Sequence, residues 1–149
     1  MRFVMFLLAV AGLAAAANHG ARCDYVGGTR ADIANHSGGS LEAIDEQYFV
    51  FYSKKISVRI PYENINLLEY GQKVDRRYIE AALISPFFML SKRRAHFLTV
   101  GYTDDAGREQ ALIFRIDKSD IRSMLVSLEA RTGRKVQYQD EEARKAGKG

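Results

Sequence analysis

The chain is poor in the residues that build covalent or metal-held sites. Cys23 is the only cysteine among 149 residues, which excludes an internal disulfide and a metal cage made of thiolates. The three histidines, His19, His36 and His96, lack the paired spacing of a zinc site. There is no Gly-x-Ser-x-Gly elbow, no His-Glu-x-x-His and no phosphate-loop glycine pattern. Glu63, Glu69, Asp75 and Glu80 fall at expected strand ends and turns, where carboxylates are usually solvated, and nothing sets two of them at a catalytic separation. The chain therefore reads as a non-enzyme without cofactor or metal. A hydrolase whose site leaves no motif is the least favoured alternative. Among the histidines, His96 has the best case for touching an anion, because it follows a basic cluster.

Long apolar runs are also scarce, and the clearest one opens the chain. Met1-Arg2 supplies a positive charge, Phe3 to Leu13 is apolar, and Ala14 to Ala17 follows. That order is the pattern of a secretory signal peptide, with cleavage expected after Ala17. The run is shorter than the about 20 residues a bilayer span needs, so no transmembrane helix is expected in the mature chain. Arg22 stands where lipidation of Cys23 would want a small residue. Cys23 then reads as a free thiol in a loose N-terminal arm, or as one half of an intermolecular bridge. Export places the protein in the periplasm or outside the cell, with the membrane surface within reach. It also makes nucleic acid an unexpected partner, despite a net charge of +4.

The rest alternates in the manner of strands. Residues 18–37 read as the loose arm, with Gly27-Gly28-Thr29 as a possible strand opening and Gly38-Gly39 as a turn signal. Leu41 to Ile44 is a short candidate strand. Tyr48 to Tyr52 is aromatic and β-branched, as in a strand buried on both faces. Ile56, Val58, Ile60 and Tyr62 alternate with polar residues, and Pro61 confines that strand to an end or an edge. Ile65 to Tyr70 continues as another strand. Leu98, Val100 and Tyr102, then Leu112, Phe114 and Ile116, flank the turn Asp104-Asp105-Ala106-Gly107 as a hairpin. Asp117 to Asp120 can cap a helix whose stripe is Ile121, Met124, Leu125 and Leu128, with Gly133 as its stop. Val136 and Tyr138 suggest a last extended piece, and the charged tail 139–149 predicts disorder.

Strands closed by one C-terminal helix form the layout of pleckstrin-homology-like (PH-like) domains. The words Ile60-Pro61-Tyr62-Glu63-Asn64-Ile65, Leu68-Glu69-Tyr70-Gly71, Ser91-Lys92-Arg93-Arg94-Ala95-His96-Phe97-Leu98-Thr99 and Leu128-Glu129-Ala130-Arg131-Thr132-Gly133 resemble a group of uncharacterised exported bacterial proteins of the bacterial PH or GRAM type. The resemblance covers residues 38–138. It implies a mainly β fold with one C-terminal helix, in which two near-orthogonal antiparallel sheets are capped by an amphipathic helix. PH-like domains bind phospholipid head groups or protein segments and rarely catalyse. Only Lys54-Lys55 lies near the first hairpin, so the basic signature of inositide binders is missing.

One stretch stands above this background. Lys73, Arg76 and Arg77 precede the apolar residues 78–90, and Lys92, Arg93 and Arg94 follow them. Phe87 and Phe88 sit between, beside Met89, and Pro86 breaks any helix that begins there. Thirteen helical residues reach only about 20 Å, too short for the roughly 30 Å hydrocarbon core. An apolar tip flanked by cations suits docking on an anionic membrane surface. The same stretch also suits packing back as core, with its cations solvated. The expected function is an exported, non-enzymatic PH-like binding or assembly module of unknown ligand, its partner an unknown protein or an anionic lipid surface. The alternative is a peripheral protein that meets an anionic lipid surface through residues 73–94.

Overall fold

The structure, a computed structural model, describes residues 20–81, 84 and 95–148. The signal-like residues 1–17 lie outside the described residues, as do Phe87, Phe88, Met89, Lys92, Arg93 and Arg94. The chain runs through β1 (Ala21–Gly28), β2 (Ser37–Glu42), β3 (Tyr48–Ser53), β4 (Ser57–Pro61), a 3-10 turn (Tyr62–Asn64) and β5 (Ile65–Gly71). It continues through α1 (Arg76–Glu80), β6 (His96–Thr103), β7 (Glu109–Ile116), α2 (Lys118–Thr132), β8 (Gln137–Tyr138) and α3 (Glu141–Lys148). The fold is mainly β, and no helix among the described residues is long and apolar enough to cross a membrane.

The strands join in one hydrogen-bonded sheet of order β4-β3-β2-β1-β7-β6-β5-β8, rather than two separate sheets. The reason is β1, which pairs antiparallel with β2 on one side and with β7 on the other, with a register shift between Tyr25 and Gly27. Among the described residues every pairing is antiparallel except β5 with β8. β4 is an edge strand, and Pro61 is its last residue, as a residue without an N–H requires.

Two expectations for the start of the chain are overturned. Residues 21–28 are no loose arm, because they form β1 in the middle of the sheet with Tyr25 and Val26 fully buried. Cys23 is buried there, and burial pushes its thiol up to about 12. It is neither a mobile thiol nor available for a bridge to another chain. Gly38-Gly39 is no turn but the interior of β2. At Gly39 a Cβ would come within 2.0 Å of the Tyr52 carbonyl oxygen, so glycine there lets β2 and β3 approach closely. Alternation of large side chains is the usual sign of a strand, and glycine and polar residues hid it in both places.

The inner face of the sheet holds the larger apolar cluster. Phe114 packs against Tyr25, Phe49 and Phe51 with ring centroids 5.8, 6.3 and 5.1 Å away. α2 closes this face with Ile121, Met124, Leu125 and Leu128, the four residues of its apolar stripe. Gly133 ends α2 at φ 68, and its N–H donates to the Glu129 carbonyl. Asp117 takes the N-cap position without a side-chain cap bond. Asp120 instead accepts from the Arg22 N–H at 3.2 Å, which ties the first turn of α2 to β1.

A smaller cluster lies on the outer face: Val26 of β1, Ile113 of β7 and Phe97 of β6, covered by Tyr78 and Ile84. Ile84 bridges to Gly27. The tail expected to be disordered is also ordered, as α3. Asp140 accepts from the Ala143 N–H at 2.7 Å, Arg144 pairs with Glu141, and Ala143 is fully buried. Gly147 seats the helix against Tyr138, Leu125 and Tyr70. A charged composition thus conceals one small-residue face that packs.

Candidate functional site

The first half of the basic stretch is built from α1 and the loop before it. Asp75 caps α1 by accepting from the Arg77 N–H at 2.9 Å. Arg76 is 89% exposed and pairs with Glu80 one turn on, at 2.8 Å. Arg77 pairs with Glu69 of β5, donates to the Tyr78 hydroxyl at 2.9 Å and lies 4.7 Å over the Tyr78 ring. Lys73 is exposed. Three carboxylates thus stand among three cations, and the two arginines are already engaged. Glu69 is buried rather than solvated, with Gln139 at 3.4 Å on its other oxygen. Tyr78 and Ile84 are packed in the outer cluster, so this part of the apolar segment behaves as core.

His96, the histidine best placed in sequence to meet an anion, is buried. Its Nδ1 lies 2.5 Å from the Tyr70 hydroxyl, and the two rings stack at 6.0 Å. Burial, then the charge of Lys118, lowers its pKa. Burial also pushes the Tyr70 hydroxyl up to about 12, so this is a structural pair away from solvent.

Sequence reasoning missed a different region, a cleft of about 580 Å³ beside the β6–β7 turn. The β1–β2 connection supplies Thr29, Arg30 and Asp32. The edge strand and the 3-10 turn supply Arg59, Pro61 and Asn64, and the hairpin supplies Tyr102 to Ala106, Arg108 and Gln110. Most of the polar groups are set by local devices. Asp104 accepts from the N–H groups of Ala106 and Arg108, from the Arg108 guanidinium at 2.9 Å and from the Gln110 amide at 2.9 Å. These bonds, the Arg108 N–H first, hold its carboxyl down at about 2. Gln110 also meets the Thr29 hydroxyl, and Thr29 pairs with the backbone of Ala111. Arg30 grips Asp32 with two N–H donors, which raises the arginine and lowers the aspartate. Arg59 lies 4.7 Å over the Tyr48 ring and 3.4 Å from Asp45, with 56% of its side chain exposed.

The cleft therefore carries three arginines and three aspartates, Asp32, Asp104 and Asp105, with each arginine facing a carboxylate. A second cleft, of about 590 Å³, is lined by Glu42, Asp117, Asp120 and Arg22. Its Asp117 and Asp120 already serve the start of α2. Among the described residues no cluster of His, Cys, Asp and Glu could hold a metal. The signals for the first cleft were in the sequence, as Arg30-x-Asp32 and Asp104-x-x-x-Arg108. The first falls in the expected arm and the second in the expected hairpin turn. Compared with models of known families and with curated proteins, the chain matches none.

Proposed function

We propose that this protein is an exported, non-enzymatic PH-like module that binds a polar ligand in the cleft between the β1–β2 connection and the β6–β7 hairpin. The PH-like reading is supported by the antiparallel order β4-β3-β2-β1-β7-β6-β5 followed by a helix docked on the inner face. The observation that carries the functional reading is the cleft itself. Its polar side chains come from three separate parts of the chain and converge on one concavity, as binding sites do. Export rests on the order of charge, apolar run and small residues in 1–17. A cut after Ala17 leaves β1 whole, whereas processing at Cys23 would remove the start of a central strand.

The competing reading is membrane docking through residues 73–94. It loses ground at Arg76 and Arg77, whose charges are matched by Glu80, Glu69 and Asp75. Cosedimentation of the mature chain with phosphatidylglycerol vesicles and with phosphatidylcholine vesicles tests the two. The cleft reading expects the protein to stay in the supernatant in both cases. Salt-sensitive pelleting with the anionic vesicles, lost in Phe87→Ser/Phe88→Ser, would overturn it in favour of membrane docking. Cell fractionation with mass measurement tests export, which expects a chain beginning at Asn18 in the envelope or medium. A full-length chain confined to the cytosol would refute it.

A further inference from the structure

We infer that the ligand of this cleft is a neutral polyhydroxylated molecule, a glycan, and not a polyanion. The inference rests on the reading of the cleft as the binding surface and adds the chemical class. The argument begins with charge. Among the described residues, Arg30, Arg59 and Arg108 are matched in number by Asp32, Asp104 and Asp105, and Arg59 also faces Asp45 at the rim, so the cleft offers no surplus positive charge. A phosphate reaching Arg30 would have to displace Asp32 from a two-pronged grip, one reaching the bonded face of Arg108 would have to displace Asp104, and one at Arg59 would meet Asp45. It would also face Asp105. Displacing one anion by another gains little, and the remaining carboxylates repel.

The donors and acceptors then narrow the class. Side-chain N–H groups alternate around the cleft with side-chain oxygens: Arg30 with Asp32, Arg108 with Asp104, and the amides of Asn64 and Gln110. A sugar hydroxyl donates and accepts at once, so neighbouring hydroxyls satisfy such pairs without displacing either member. An extended peptide would want apolar pockets for alternate side chains. Among the described residues the cleft offers only Ala31, Pro61 and Ala106 as aliphatic lining. Tyr102, the one aromatic residue of the lining among the described residues, is 5% exposed and offers a sugar no free ring face. Hydrogen bonds that merely replace those to water contribute modestly, and the expected Kd is on the order of 1 mM.

The test is a titration of the ¹⁵N-labelled mature chain, followed by amide shifts. The probes are maltohexaose, the hexamer of N-acetylglucosamine and inositol hexakisphosphate, each to roughly 20 mM, well above a millimolar Kd. The expected result is saturable shifts at Thr29, Arg30, Asn64, Thr103 and Arg108 with at least one oligosaccharide. Binding should be unchanged by added salt, because no net charge is neutralised. Asn64→Ala should weaken it about fivefold or more, the loss of roughly one hydrogen bond, at unchanged Tm. Asp105→Lys, which leaves two positive charges in surplus, should gain salt-sensitive hexakisphosphate binding that the natural chain lacks. Hexakisphosphate binding at these amides in the natural chain, with neither sugar shifting them, would overturn the glycan class and leave the cleft as the binding surface. Silence of these amides towards all three probes would overturn the glycan inference too. If vesicles then shift Lys73 to Tyr78 instead, the reading of the cleft falls with it.

Discussion

The inner and outer apolar clusters share three strands but are closed in different ways. Leu112 and Ile113 are neighbours on β7, both buried, and they face opposite sides of the sheet. Leu112 belongs to a cluster closed by the fifteen residues of α2 and braced by α3. Among the described residues, Ile113 lies under a cover made by the five-residue α1 and the bridging residue Ile84. α1 has five residues against the fifteen of α2, and a short helix opens at lower free energy than a long packed one, so α1 is the part of the cover expected to open locally. The polar tie on that cover is Arg77 with Glu69. The comparison teaches that equal burial does not mean equal stability, because what matters is how many independent contacts must break together.

The sharpest way to break this comparison is to truncate both neighbours to the same residue. Leu112→Ala should cost about 4–5 kcal/mol, because the inner cluster is enclosed on all sides and cannot collapse into the cavity. Ile113→Ala should cost about 2 kcal/mol, because the α1 cover can settle into the space. Denaturant titration of both variants measures the difference. Equal losses would mean that the outer cluster is as rigidly enclosed as the inner one.

The tie on the cover gives a smaller effect. Arg77→Ala leaves the buried Glu69 carboxylate with Gln139 as its side-chain partner among the described residues, and it should destabilise by about 1 kcal/mol. That figure is held low because 54% of the arginine side chain is exposed and its charge is screened. Glu69→Gln should cost less, since an amide oxygen still accepts from Arg77. Amide exchange should rise at residues 76–81 in Arg77→Ala and stay unchanged along α2. A larger loss for Glu69→Gln than for Arg77→Ala would show that the carboxylate does more than hold the cover.

The gentlest probe is pH, acting where β6 begins. His96 has a lowered pKa in the folded chain, from burial first and Lys118 second. The unfolded chain therefore takes up the proton more readily. This contribution to stability is complete above the ordinary histidine value of about 6.5. It declines as pH falls below that value and stops declining below the folded pKa. One proton limits the slope to about 1.4 kcal/mol per pH unit. Urea titrations near pH 7.5 and pH 5 should show a larger acid loss for the natural chain than for His96→Gln. An acid loss identical in the two proteins would mean that His96 is not kept neutral by its surroundings.

The sequence determined by itself those elements whose stability comes from a repeating side-chain pattern. The β6–β7 hairpin around Asp104 to Gly107 is one, and the edge position of Pro61 is another. The stripe Ile121, Met124, Leu125 and Leu128 of α2, with Gly133 as its stop, is a third. In β4 and α2 one face is buried and the other wet, so the period is written in the residues, whereas the hairpin is marked by its glycine-containing turn between two β-rich runs. Only the tertiary structure decided the rest. β1 carries cysteine, glycine and alanine with few large apolar residues, and it becomes a central strand because β2 and β7 pair on both its sides. α3 is charged in composition, and two small buried residues, Ala143 and Gly147, seat it. The buried Glu69 and the cleft of paired arginines join residues far apart in sequence: Glu69 with Gln139, Thr29 with Gln110, and Arg30 with Asn64 and Arg108 around one concavity. Periodicity reports which face of an element is dry. It carries no information about which distant polar groups will meet, because that depends on strand order and register.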